Sequence, residues 1–415
     1  MDRKRLVFAL IFAVISILLG YAIYRVFFKK IPAEKPLQTG ITDTSGTFPA
    51  IESGGPKEGS IGPTGLPISD TKITPTGQET GESQLRLPRT ASGEEPRLKK
   101  VVEAEVLSPS PTKNGGAKFY NQEDGKFYRL NPDGSMTPLS DKVFFNVSKA
   151  TWSPSNNESI IEYPDGANIY YNFDTGRQVS LPKHWEEFSF SPQGEKVAAK
   201  SMGLSPDNRW LITSNPDSSE IKLVEPMGKN ADKVTVDWSP NKQIVALSRT
   251  GDSLGSDRQE VLLVGQNKEN FKSIVVEGRG LKTAWSASGG KLLHSVYNAR
   301  NDFKPELWIV NAEGDNIGSN RKLLNVSTWA DKCAMPDERF AYCGVPTTLQ
   351  TGAGFAPDLA NDTPDLLYKI DTVTGIKTQI PLEGFHVINK IIISPDAKTL
   401  YFTGKNETGL NQVKL

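Results

Sequence analysis

The sequence predicts an all-β fold, a seven-bladed β-propeller with six to eight blades as the range its spacing allows, preceded by one transmembrane helix and a disordered linker. Three observations predict it. An apolar run lies near the amino terminus, a long stretch rich in Pro, Gly, Ser and Thr follows it, and an aromatic-Ser-Pro signal then recurs with a period mostly in the forties.

The first element is a short tail, residues 1–5, followed by an apolar segment, 6–28. Leu6 to Tyr24 carry no charge, and the run to Phe28 includes only Arg25. About 20 helical residues at about 1.5 Å rise each cross a hydrocarbon core of about 30 Å. In lipid the backbone must satisfy its own polar groups, which makes such a segment helical. Arg3, Lys4 and Arg5 before it balance Arg25, Lys29 and Lys30 after it, so charge does not decide the orientation. A cleaved signal peptide would have a shorter apolar region and a small-x-small site after it. The expectation is an uncleaved signal-anchor in the cell membrane, with the rest of the chain on the extracytoplasmic side.

Residues 29–100 form the expected linker. From Ile31 to Lys100, half of the 70 residues are Pro, Gly, Ser or Thr, and Phe48 is the only aromatic. Such a segment cannot bury enough apolar surface to offset its ordering entropy.

From 101 to 415 the sequence repeats. The signal occurs at Leu107-Ser108-Pro109, Trp152-Ser153-Pro154, Phe190-Ser191-Pro192, Trp238-Ser239-Pro240, Trp285-Ser286-Ala287, Trp329-Ala330-Asp331 and Ile393-Ser394-Pro395, at steps of 45, 38, 48, 47, 44 and 64. Strand texture with that period indicates blades of four strands. Second strands are expected at Ser159–Tyr163, Lys196–Lys200, Gln243–Ser248, Lys291–Val296, Arg339–Cys343 and Thr399–Thr403. Third strands are expected at Phe127–Leu130, Ile169–Phe173, Leu307–Val310 and Leu367–Ile370. Asn, Asp and Gly follow these in the places where tight turns need positive φ. The last repeat holds three strands, so a fourth must come from elsewhere. Ser83–Leu87, with Leu85 and Leu87 on one face, is the expected closing strand; Val101–Leu107 is the alternative, leaving six full blades.

The turns Ser205-Pro206-Asp207-Asn208 and Ser394-Pro395-Asp396-Ala397-Lys398 are variants of a W-S-P-D-G-K-like signal. In this the chain resembles the propeller repeats of TolB-type proteins and of the propeller domain of the dipeptidyl-peptidase IV family. The resemblance covers about three quarters of the chain and implies the architecture. The Gly-His and Trp-Asp pairs of WD-repeat proteins are missing. The peptidase family carries an α/β-hydrolase domain after its propeller; Leu415 lies less than a blade beyond the last repeat signal, and no such domain is expected.

Composition narrows the chemistry. Net charge is zero and no basic block reads as a nucleic-acid footprint. Two cysteines and three histidines, His184, His294 and His386, leave little for a metal site or for His-based catalysis, and no cofactor is expected. Gly251-Asp252-Ser253-Leu254-Gly255 matches G-x-S-x-G, but a nucleophile elbow needs a helix after it, and here a strand, Val261–Val264, follows. Residues 394–400 approach a sialidase-type Asp box but lack its Gly and Trp. Trp152, Trp238, Trp285 and Trp329 share a repeat position and are expected to pack one blade on the next, with Trp185, Trp210 and Trp308 in the core. Sequons stand at Asn146, Asn157, Asn325, Asn361 and Asn406. Cys333 and Cys343 flank position 338 symmetrically, inside the turn of an expected hairpin. They should therefore face each other and form a disulfide, which an extracytoplasmic compartment would favour.

Loop length points to function. The loops Arg249–Glu260, Tyr297–Glu306 and Gly344–Pro364 join second to third strands and are long, while the turns on the opposite face are short. Variable loops on a rigid scaffold are where binding usually resides. The expected site is Arg249, Asp252, Arg258, Tyr297, Arg300, Asp302, Phe303 and Phe355 on that face. The expected role is non-catalytic binding or scaffolding of a protein, peptide or glycan at the cell envelope, with a propeller hydrolase using the same face as the alternative.

Overall fold

The computed structural model describes residues 97–255, 257–269 and 271–415, together with Ser16. The expected membrane segment, the linker and Ser83–Leu87 lie outside them, apart from Ser16 and the linker's last residues. Among the described residues no helix is long and apolar enough to cross a membrane.

Seven four-stranded antiparallel sheets follow one another along the chain. Their first strands are Val106–Pro111, Lys149–Trp152, Trp185–Phe190, Val234–Val236, Arg279–Trp285, Cys333–Ala334 and Ile388–Ile393, which open blades 1 to 7. The expected second and third strands are all present within one or two residues at most ends. Blade 7 takes its fourth strand from the start of the described chain. Leu98–Val102 pairs antiparallel with Leu410–Lys414, Leu98 opposite Val413 and Val102 opposite Leu410. The closing strand is therefore neither Ser83–Leu87 nor Val101–Leu107, and the ring has seven full blades. Gly409 permits the closure, because a Cβ there would lie 2.2 Å from the Val102 carbonyl oxygen.

The core lies between blades rather than within them. Phe127 of blade 1 meets Trp152 of blade 2 edge-on at 5.4 Å, and both join Phe144 and Phe173 in one cluster. Trp238 shares a cluster with Val245 of its own blade and Leu211 of blade 3. A sheet buried on both faces by its neighbours explains the buried runs of second strands, four residues in Glu158–Glu162 and five in Ile244–Ser248.

The recurring serine fixes each turn between first and second strands. In blades 3, 4, 5 and 7, Ser191, Ser239, Ser286 and Ser394 accept through Oγ from the N–H five residues on, at 2.9–3.0 Å. Their own N–H groups donate to that same residue's carbonyl. Ser153 of blade 2 has the same backbone bond to Glu158. The serines are buried, so only a side chain this short that also accepts fits.

Three motif assignments change. In blade 1 the serine's place is held by Thr112, whose Oγ1 accepts from Gly116. Leu107-Ser108-Pro109 is instead a mid-strand bulge with Ser108 at φ 51°. In blade 6 the place is held by Met335, and Asp337 accepts from the N–H groups of Arg339 and Phe340 in the serine's stead, both at 2.7 Å. Trp329 is thus six residues before the turn position, not one, and belongs to the opposite face. Ser205-Pro206-Asp207-Asn208 is a 3-10 turn, Pro206–Asn208, between the second and third strands of blade 3.

Cys333 and Cys343 are directly opposed and form a disulfide. The first strand of blade 6 is only two residues long, Cys333–Ala334, because Ala330–Lys332 is a 3-10 turn where a longer strand was expected. The covalent bond reinforces this short ladder at its first pair.

Two groups with large, opposite shifts act on stability below neutral pH: His294, fully buried, and Asp237, half-buried just after the blade 4 first strand. Burial lowers the pKa of His294, stacked on Trp308, from 6.5 to about 3. Burial raises that of Asp237 from 3.8 to about 7. Below pH 6.5 unfolding takes up a proton at His294, so acid destabilises through it; between 3.8 and 7 unfolding releases a proton at Asp237, so acid stabilises through it. From about pH 4 to 6.5 the two slopes cancel. Asp237→Asn should expose the histidine slope, a loss of about 1.4 kcal/mol per pH unit of acidification relative to wild type. Urea unfolding of both proteins across this range measures it, and parallel curves would refute the assignment.

Candidate functional site

Each first strand runs toward the serine turn, so the turns between first and second and between third and fourth strands share one face. The blade connections and the loops between second and third strands share the other. Arg97 enters on the short-turn face, since Leu98–Val102 is a fourth strand. All four phenylalanines exposed among the described residues, Phe145, Phe303, Phe355 and Phe385, lie on the loop-rich face.

Two loops there are latched together. In blade 5, Asn298 is buried and caps the 3-10 turn Ala299–Asn301, its Oδ1 accepting from Arg300 N–H at 2.9 Å while its Nδ2 donates to the Glu277 carbonyl. The next two residues, Asp302 and Phe303, are both left-handed, at φ 58° and 55°. Each such non-glycine conformation costs of order 1 kcal/mol or more. It turns two successive carbonyls toward blade 6, where Gly352 N–H donates to Asp302 at 2.8 Å and Gly354 N–H to Phe303 at 2.7 Å. Gly354 admits no side chain, because a Cβ would stand 2.4 Å from that of Tyr297.

The latch carries an aromatic pocket. Phe355 packs edge-on against Tyr297 at 5.9 Å and Phe303 at 6.0 Å. Gly280, at φ 68°, leaves room for the Tyr297 ring, which a Cβ there would strike at 2.3 Å. Trp329 lies beneath, clustered with Ala353, Ala360 and Leu349 of the blade 6 loop. A pocket of about 250 Å³ is bounded by Arg249, Lys282, Tyr297, Trp329, Phe355 and Pro357 among others. The Trp329 indole N–H is buried and has no hydrogen-bond partner among the described residues. Below it the buried Lys332 ammonium holds both Asp365 oxygens at 2.7 Å, and Asp365 also accepts from Ile388 N–H at 2.6 Å, tying the loop's base to blade 7. Burial lowers the lysine pKa and raises that of the aspartate.

The expected site residues divide accordingly. Arg249, Tyr297 and Phe355 line the pocket, and Asp302 and Phe303 form the latch. Arg258 and Arg300 are drawn to Glu277, at 3.3 and 4.0 Å, where Arg321 also binds it at 2.7 Å. Asp252 sits exposed near the tip of the blade 4 hairpin, its carbonyl accepting from Glu260 N–H at 3.0 Å. Sequence reasoning missed Trp329, Lys282, Gly280, Gly354 and Pro357. Ser253 lies in that same hairpin tip, donating to the Gly255 carbonyl at 3.1 Å, in a strand–turn–strand and not a nucleophile elbow. Among the described residues no three His, Cys, Asp or Glu side chains gather as metal ligands would.

No protein-family model matches the chain, and no curated protein matches it in sequence. Solved structures match its fold. An oligogalacturonate lyase in complex with manganese is similar at 12% identity and a TM-score of 0.53, over 77% of this chain and 93% of that one. The Cps50 (Swd1) β-propeller domain of Myceliophteria thermophila is similar at 11% identity and 0.51, over 77% and 99%. TolB from Acinetobacter baumannii aligns at 14% identity and 0.41, over 68% and 64%, too loosely to carry the family. The first two likenesses establish the propeller and nothing finer.

The latch gives a direct expectation. Gly354→Val should break both inter-loop hydrogen bonds and free residues 347–364. Hydrogen exchange in that loop should rise at least about tenfold, a loss of about 1.4 kcal/mol in local stability, while the other blades keep their protection. Unchanged exchange in the loop would show that the latch does not hold it.

Proposed function

We propose that the chain is a membrane-anchored, extracytoplasmic propeller whose loop-rich face binds, without catalysis, an extended protein or peptide segment bearing an apolar or aromatic side chain. The observation that carries this reading is the aromatic pocket over Trp329, held open by a strained latch. A fold that tolerates two consecutive left-handed residues to join two loops has a fixed surface, and a fixed surface loses little entropy on binding. Exposed Phe355 lines the pocket, exposed Phe303 packs against it, and exposed Leu359 follows in the same loop; together they supply the kind of apolar contact that dominates protein recognition. Arg249 at its edge, which forms no ion pair among the described residues, favours a partner with a carboxylate nearby. The apolar amino-terminal segment and the Pro/Gly-rich stretch support an anchor and a tether, and the disulfide is in keeping with an oxidising compartment.

A photo-crosslinker at Leu359 of the full-length protein, in its own cells, tests the face. The expected result is a discrete adduct that disappears with Phe355→Ala and is absent when the crosslinker stands at Asn114 on the short-turn face. Equal adducts from both positions, or adducts indifferent to Phe355, would sink the proposal. Protease added outside intact cells should cut the linker and release the propeller; complete protection where protease reaches the membrane would place the propeller inside.

A further inference from the structure

The ring encloses a second space that the loop-rich pocket does not use. First strands of all seven blades wall a channel of about 970 Å³, within the range of small-ligand sites. Four charged side chains border it. Lys149 is paired with Glu162 at 3.3 Å, and Asp331 with Lys282 at 3.5 Å. That leaves Asp237, on the blade 4 side, and Lys390, on blade 7 across the channel. Lys390 is exposed to the channel, and its field favours the charged aspartate, yet among the described residues neither has an ion-pair partner. The Asp237 carboxyl faces Thr283 and the Trp285 indole. Burial holds it up to about 7, which is the mark of a carboxylate without a sufficient counter-charge.

Their heights in the ring differ in a defined way. Asp237 stands two residues before the turn serine of its blade, Ser239, and Lys390 four before Ser394. Two residues of strand separate them by about 7 Å along the channel, before its width is added. A free amino acid is too short to bridge that, whereas an extended peptide of two or three residues spans about 7–10 Å. Trp285, Ile391 and Met335 offer apolar wall for its side chains, and Ser110 and Thr151 offer hydroxyls at the level of Asp237.

We propose that the channel binds a short zwitterionic peptide, two or three residues long, with its terminal ammonium against Asp237 and its carboxylate against Lys390. Both charges of such a ligand meet a group that has no ion-pair partner among the described residues. A ligand with only one of them leaves the other side desolvated and unpaired.

Trialanine is the probe, titrated into the purified full-length protein by calorimetry beside N-acetyl-trialanine and trialanine amide. The expected result is binding of trialanine, with each capped form weaker by about tenfold or more. Asp237→Asn should abolish the preference for a free amino end and Lys390→Met the preference for a free carboxylate, each leaving the other preference in place. Absence of binding at millimolar trialanine, equal binding of all three peptides, or preferences that both variants leave untouched would overturn the proposal. The comparison of the three peptides on the wild-type protein needs no variant to fold. Asn keeps the shape of Asp237, Lys390 is exposed, and a retained thermal midpoint confirms that each variant is intact.

Discussion

Everything in this molecule rests on the pairing of Leu98–Val102 with Leu410–Lys414. A blade cannot bury both faces of its sheet alone, so each depends on its neighbours, and the last depends on a strand that precedes the first blade. Val102 sits with Leu410 and Tyr401 in the same cluster as Phe119 and Leu130 of blade 1, so the closing strand also joins blade 7 to blade 1. Tyr401 repeats the connection through its hydroxyl, which donates to the Gly115 carbonyl in the blade 1 turn. Closure removes the two sheet edges that an open ring would present to other chains.

The same logic of neighbour supporting neighbour runs around the short-turn face. Lys118 of blade 1 donates to the carbonyls of Ser153 and Asn156 in the blade 2 turn, and burial lowers its pKa to about 8. Ser155 reaches Pro192 in blade 3, Asn241 reaches Gly289 in blade 5, and Lys291 reaches Glu338 in blade 6. These bonds occupy the turns with structural work. On the loop-rich face the loops differ in length, and there the exposed phenylalanines gather.

The sequence made the ring legible because the serine turn is a local hydrogen-bond device with a fixed spacing, visible wherever serine supplies it. It failed where another residue does the same job. Thr112 closes its turn one residue shorter, and in blade 6 the acceptor has moved from the serine position to Asp337, so Trp329 imitates the signal at the wrong place. The closing strand was missed for a related reason. Leu98–Val102 reads Leu-Lys-Lys-Val-Val, and its adjacent lysines and its bulge between Lys100 and Val102 break the alternation by which a half-buried strand is recognised. Ser83–Leu87 alternates better, but alternation says nothing about where the edge of the sheet waits for a partner.

The site was legible only as a set of long loops, since what makes it a site is contact between two of them. Nothing local in Asp302 or Phe303 announces positive φ; that conformation is imposed by the glycines at 352 and 354, some fifty residues on. Blade 6, which provides those glycines, has the shortest first strand in a full sheet register, two residues at Cys333–Ala334. Its chain enters the ladder late, because Trp329 and Ala330–Lys332 first pass beside the long loop, where Trp329 clusters with Ala353 and Ala360. The lost strand pairing must be made good if the loop is to stand on anything firm. Two devices do so: the Cys333–Cys343 bond at the base of the hairpin, and the buried Lys332–Asp365 pair, which also accepts from Ile388 of the next blade. Removing either partner of a buried pair leaves an uncompensated charge, so the loop's base is held by interactions that fail together rather than by degrees. Strain in the latch, a covalent bond and a buried ion pair thus converge on the one place where the repeat departs from its rule, which is the arrangement expected where a scaffold has given up regularity for a surface.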